Sequence, residues 1–193
     1  MNSEFNYFRV HRSNDDQIPL LNSDDDCPQY LSKKKSIENP ELLLFKFGEP
    51  IPRKPKMADY HSSPKSIISK KIFDVLEPLK IEGIQLLPAQ IRGKNDDVYS
   101  DYWAIHVYNR IRCVDPDLSD CTIDTFNLED VNKIVLDEKI LSKIPLSKRL
   151  VFRLEEDTAF QLFHSSIVDI IMKTNPEGVQ FTNINNWHEG SFF

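Results

Sequence analysis

Residues 67–87 read Ile67-Ile68-Ser69-Lys70-Lys71-Ile72-Phe73-Asp74-Val75-Leu76-Glu77-Pro78-Leu79-Lys80-Ile81-Glu82-Gly83-Ile84-Gln85-Leu86-Leu87, and they hold a helix start, a helix stop and a strand in one stretch. Ser69 stands at an N-cap position, Ile72, Phe73 and Leu76 recur at helical spacing, and Ile68 with Phe73 has the spacing of a hydrophobic staple. Pro78 ends the helix, and Gly83 supplies the left-handed conformation that a helix stop requires. Ile84–Leu87 then suits a pleated, half-buried surface. The same order returns at residues 167–180, offset by 95 positions: Ile72/Ile167, Asp74/Asp169, Glu82/Glu177, Gly83/Gly178 and Gln85/Gln180 are identical. Ser166 and Asp169 have capping-box spacing there. Phe73, Leu76, Ile170 and Ile171 are expected to face a sheet. The class that follows is α+β, with two helix-strand units that can also be read as an internal repeat, against a mostly antiparallel sheet.

Working outward, Phe5–Val10 and Leu42–Phe47 read as strands, with a polar loop between them, and Tyr102–Tyr108 as a third. Lys133–Leu136 looks extended, with room for one helical turn before Ile144. Arg149–Leu154 and Ala159–Phe163 form a hairpin about the acidic turn Glu155–Asp157, and Gly178–Phe181 is a last strand. The tail from Trp187 to Phe193 either docks or frays. The Pro- and Lys/Arg-rich connector Pro50–Lys56 divides an N-terminal strand-containing arm, 1–52, from a compact part, 53–193, the two expected to fold as one unit.

A chain of 193 residues, 40% hydrophobic and 28% charged, has the composition of an ordinary globular domain. At this length a core forms without staples. Cys27, Cys113 and Cys121 are odd in number with no C-x-x-C pair, which argues against a disulfide framework or a zinc site and for a reducing compartment. No basic, apolar leader and no membrane-length apolar run is present, so a cytoplasmic protein is expected. Thirty acids against twenty-four bases give a net charge of -6, the wrong sign for gripping nucleic acid and the right one for a basic partner. The charge concentrates at 95–124, where Asp96, Asp97, Asp101, Asp115, Asp117, Asp120 and Asp124 face only Arg110 and Arg112. Aspartates close turns, and they also steer a basic partner toward a surface. The stretch is therefore the candidate partner-binding segment, through Asp96, Asp97, Tyr99, Asp101, Tyr102, Asp115, Asp117 and Asp120. Trp103, in an alternating strand, reads as core before anchor.

Chemistry finds little purchase. Five glycines fall in no phosphate-loop frame, and no H-E-x-x-H, G-x-S-x-G or S-x-x-K occurs. His11, His61, His106, His164 and His188 are scattered and read as packed or surface histidines. Carboxylates near Cys113 and Cys121 raise a thiol pKa, the reverse of what a nucleophile needs. Asp24-Asp25-Asp26 and Asp115-Pro116-Asp117 lack the calcium-loop frame. Lys33-Lys34-Lys35 and Arg53-Lys54 lack aromatics for base stacking. No cofactor, no metal and no catalytic residue is expected, and weight shifts to a binding protein.

Several marks occur together: Phe47-Gly48-Glu49-Pro50, Ile67-Ile68-Ser69 with Lys71, Ile84-Gln85-Leu86-Leu87-Pro88, Tyr102-Trp103 with Ile105 and Val107, Leu150–Leu154, and Glu177–Phe181. This pattern resembles a bacterial immunity-protein family, the one typified by a myxobacterial protein and linked to polymorphic and type VI secreted toxins. The resemblance implies a toxin antidote that is not an enzyme and binds its cognate toxin in the cytoplasm. Two other readings stay open from the sequence: an enzyme that reverses toxin damage, and an adaptor or chaperone that carries an effector. Oligomeric state is not readable.

Overall fold

The computed structural model describes residues 3–24, 28, 33–124 and 128–188. In chain order its elements are β1 (Tyr7–Arg12), β2 (Leu21–Ser23), β3 (Leu43–Phe47), β4 (Tyr60–His61), β5 (Ile67–Ser69), α1 (Lys70–Leu76), β6 (Ile84–Arg92) and β7 (Val98–Val107). The second half continues with β8 (Arg110–Ile111), β9 (Asp120–Ile123), β10 (Leu128–Lys133), α2 (Glu138–Leu141), β11 (Val151–Leu154), β12 (Gln161–His164), α3 (Ser165–Met172) and β13 (Val179–Asn183). Cys27, Asp25, Asp26 and the end of the tail, 189–193, lie outside the described residues, and so does the side chain of Asp96.

The α+β class holds, but the sheets are mixed. Among the described residues the strands make a five-stranded sheet, β13-β1-β12-β11-β8, a six-stranded sheet, β2-β3-β6-β7-β5-β4, and a β9-β10 hairpin. Each large sheet carries one parallel pair, β8 with β11 and β3 with β6. A parallel pair needs a long crossover, and both have one: β9 to α2 in the first case, β4 to α1 in the second. Such distant pairings are what local patterning along the chain does not report. The stretch before Leu42 also contains β2, and Ile67–Ser69 is a strand before it is a helix start.

The two echoing segments share a topology. In β5-α1-β6 the helix joins two strands that flank β7, both antiparallel to it; in β12-α3-β13 the flanked strand is β1. Gly83 and Gly178 both adopt positive φ, 81° and 70°. The carbonyl of each accepts an N–H from just past the flanked strand: Tyr108 at 3.0 Å onto Gly83, Ser13 at 2.9 Å onto Gly178. A Cβ at Gly83 would lie 2.3 Å from Asn109 Cβ, and one at Gly178 2.6 Å from Ala58 Cβ, so space as well as φ demands glycine. This is a likeness of local construction, and it does not by itself make the segments copies.

Helices α1 and α3 pack on each other between the sheets. Ile72, Leu76, Ile167, Val168 and Ile171 are buried there with Ile68, Ile105, Val10, Val151 and Phe163 from both sheets. Phe73 and Ile170 are half-buried instead, because Phe73 lies at the edge of α1 and stacks on Trp103, ring centroids 4.0 Å apart. A second core gathers Tyr7, Cys113, Phe152, Leu162 and Trp187 under the hairpin, and a third Leu43, Phe45, Leu87 and Tyr102. Trp187 thus docks the start of the tail, edge-on to Phe160 at 4.7 Å.

The caps differ from the sequence reading. The Ser69 hydroxyl donates to Asp59 Oδ1 at 2.5 Å and leaves the α1 N–H groups alone. Helix α3 begins one residue before Ser166, with His164 as its N-cap: Nδ1 accepts from Ser166 N–H at 3.2 Å, and Nε2 meets the Glu4 carbonyl at 3.2 Å. An imidazole that accepts at Nδ1 and donates at Nε2 is neutral. Arg149, 1% exposed, donates to the Ile144 and Glu4 carbonyls, the Tyr7 hydroxyl and the Glu4 carboxylate, and so ties the start of the chain to β11.

Asp59 joins the two halves. Its carboxylate takes Ser69 Oγ and, at 2.8 Å, Lys71 Nζ from the α1 side, and the Glu177 N–H at 2.7 Å from the turn before β13. Burial opposes its charge, yet Lys71, Ser69 and the Glu177 N–H outweigh that and hold the carboxyl below its ordinary value. We expect Asp59→Ala to cost about 1–3 kcal/mol, since it leaves the Glu177 N–H and the buried Ser69 hydroxyl without their acceptor, measured by urea unfolding. A loss under 0.5 kcal/mol would show that the clamp contributes little.

His11 and His61 give the fold a pH dependence. Burial, reinforced by the charges of Arg9 and Arg12 respectively, holds both imidazoles at about 4, against an ordinary 6.5. Between pH 6.5 and 4 the unfolded chain therefore binds protons that the folded chain does not. Stability is complete above pH 6.5 and falls as pH drops through that window. Thermal unfolding from pH 7 to pH 4.5 should show this fall, and His11→Gln, whose amide can still reach Thr182 Oγ1 (3.0 Å from His11 Nε2), should flatten it.

Candidate partner-binding surface

The aspartates of residues 95–124 divide into two patches. Asp96, Asp97 and Asp101 stand at or near the tip of the β6-β7 hairpin, and Asp115 and Asp117 on the turn that leads into β9, with Asp120 as the first residue of that strand. Ten residues of β7 span roughly 33 Å at strand rise. The hairpin tip is at its start and the second patch lies beyond its end, so proximity in sequence does not become proximity in space.

At the tip, the Gly93 N–H donates to the Asp97 carbonyl at 2.7 Å, and Asn95 takes a left-handed conformation, φ 57°. A Cβ at Gly93 would sit 2.7 Å from the Tyr99 ring, so the ring folds directly over that glycine. Tyr99 then stacks on Phe47, centroids 6.0 Å apart and 20° between planes, which fixes a half-exposed aromatic on the hairpin that carries the exposed side chains of Asp97 and Asp101. Val98, 56% exposed, adds an apolar surface to the same edge. Tyr102 shares the inward face with Tyr99, their cross-strand partners being Ala89 and Ile91, but it is buried, its hydroxyl donates to the Ala58 carbonyl at 3.1 Å, and burial leads the causes that push its phenol above the ordinary range. It supports the patch from behind. Trp103 is half-buried in its stack with Phe73.

In the second patch Asp115 closes its own turn, its Oδ1 accepting from the N–H groups of Asp117 at 2.9 Å and Leu118 at 3.1 Å. Asp117, Leu118 and Asp120 are exposed there. One aspartate is thus spent on the backbone, and two face solvent.

Neither Cys113 nor Cys121 is activated as a thiolate. Burial first, then Glu156 and Asp137, pushes the Cys113 thiol up; burial, then Asp120 and Glu156, raises that of Cys121. Among the described residues no group of three His, Cys, Asp or Glu side chains could hold a metal ion, and no helix is long and apolar enough to cross a membrane. His106, buried, meets the Lys35 carbonyl at 2.8 Å through Nε2. Sequence reasoning missed a cleft that gathers Arg9, Arg12, Lys65 and Arg153. They come from three separated stretches, and no spacing rule links them.

Against known proteins, the chain matches the model described as Immunity protein family (Imm11) over residues 8–186. No curated protein matches it. The matched span starts inside β1 and runs past β13, so it takes in both large sheets and both of the packed helices. The chain belongs to the immunity protein family Imm11.

Proposed function

We propose that this protein is the antidote to a secreted toxin, acting in the cytoplasm by binding that toxin directly, without catalysis. The observation that carries the reading is the family match over residues 8–186. The net charge of -6 supports a toxin with a basic face, as do the exposed aspartates of the two patches, where Asp96, Asp97 and Asp101 outnumber Arg92 and Lys94 at the tip. Contact is assigned first to the β6-β7 tip, the hairpin that bears Asp96, Asp97 and Asp101 and also holds a ring immobilised on Phe47. A held aromatic loses little entropy on binding, and its neighbours steer encounter. Asp117 and Asp120 extend the attractive field, and Asp115 shapes their turn.

Two experiments test this. Co-expression with the toxin encoded beside its gene should restore growth and yield a co-purified stoichiometric pair. Protection at substoichiometric amounts, with no complex, would point to repair of toxin damage instead; loss of toxin secretion on deletion, with no self-killing, would point to an adaptor. Reversing Asp96, Asp97 and Asp101 to Lys should slow association by at least several-fold and weaken its salt dependence. Unchanged kinetics in a folded triple variant would move the contact elsewhere.

A further inference from the structure

Between the two large sheets lies a cleft of about 570 Å³ with a character opposite to that of the acidic patches. Strand β1 brings Arg9 and Arg12 to it, β11 brings Arg153, β12 brings Gln161, and the segment between β4 and β5 brings Lys65. Among the described residues no Asp or Glu lines it, in a chain with 30 acids and 24 bases.

The wall behind these cations is ordered. Gln161 is paired with Arg153 across β11 and β12. Tyr60 donates to Ser66 Oγ at 2.8 Å, and Ser66 Oγ donates to Gln161 Oε1 at 3.2 Å. That relay turns the amide so that its oxygen is used, and Nε2 has no partner although the residue is only 6% exposed. Arg153 Nη1 donates to the Thr158 carbonyl at 2.9 Å, while its Nε is buried without a partner. Desolvation depresses both Arg9 and Arg153, and the charge of Arg110 weighs further on Arg153. Arg9 lies over the Phe160 ring, 4.4 Å from its centroid, and Arg12 Nη1 donates to the Ile18 carbonyl at 2.8 Å, so both guanidiniums are held in place, and positive charge gathered in a half-enclosed site favours an anion there.

We propose that this cleft binds a small phosphorylated molecule, its phosphate among Arg12, Lys65 and Arg153 and its body along the less polar wall of Val10, Leu20 and Ala159. Three cations suit a dianionic phosphate better than a single carboxylate, and guanidinium forks match its oxygens. The volume lies in the usual range of small-ligand pockets, about 300–1,000 Å³. The site is independent of the toxin contact, and its test contains no toxin.

The full chain is titrated calorimetrically with inorganic phosphate, AMP, adenosine and citrate at matched ionic strength. Saturable binding of phosphate, tighter binding of AMP and none of adenosine are expected. Lys65→Ala and Arg153→Gln should each weaken AMP at least tenfold; if Arg153→Gln does not fold, Lys65→Ala decides. No saturation by phosphate or AMP at millimolar concentration, affinity unchanged in a folded variant, or citrate binding more tightly than AMP would overturn the proposal.

Discussion

The Asp59 carboxylate is the point at which the two halves of this molecule become one. It holds the start of α1 through Ser69 and Lys71 and the turn before β13 through the Glu177 N–H, while its own backbone N–H donates to the Glu177 carbonyl at 2.8 Å. That two-way bond brings Ala58 against Gly178, where no side chain fits. Helices α1 and α3 can then bury their apolar faces on each other between the sheets. Hydrophobic burial supplies most of the free energy, but it is not directional; the buried charge fixes how the halves meet.

This arrangement decides where charge can go. With both helices and both inner sheet faces committed to packing, polar chemistry is left to edges and to the seam. The β6-β7 hairpin projects one acidic patch around Tyr99, and the turn before β9 carries the other. The seam holds the cationic cleft. An overall charge of -6 is thus the sum of separated surfaces of opposite sign, each able to attract a different kind of molecule.

Much of the frame was legible because it is local. Pro78 falls just past the end of α1, and Gly83 and Gly178 take positive φ at the entries to β6 and β13, although the left-handed residues that close the helical segments are Lys80 (φ 47°) and Asn175 (φ 50°); the hairpin around Glu155–Asp157 follows from alternation on either side of a turn. What stayed hidden depends on distance along the chain. The parallel pairs β3-β6 and β8-β11 join segments with long crossovers between them, and the diversion of Ser69 from cap to clamp depends on Asp59, ten residues earlier. The acidic segment was visible as composition. Its division into two patches required the length of β7, and the burial of Tyr102 required the Ala58 carbonyl above it. The cationic cleft had no signature, because strands far apart in sequence meet there.

The central claim is that a rigid two-sheet frame presents the β6-β7 tip to a toxin. Hydrogen–deuterium exchange on the free protein and on its complex with the neighbouring-gene toxin tests it most directly, since it reports which backbone amides the partner covers. The account predicts slowed exchange at residues 93–101, a smaller effect at 115–120, and no change in the β12-α3 core. Slowed exchange confined to other surfaces, with 93–101 unaffected in a saturated complex, would contradict it.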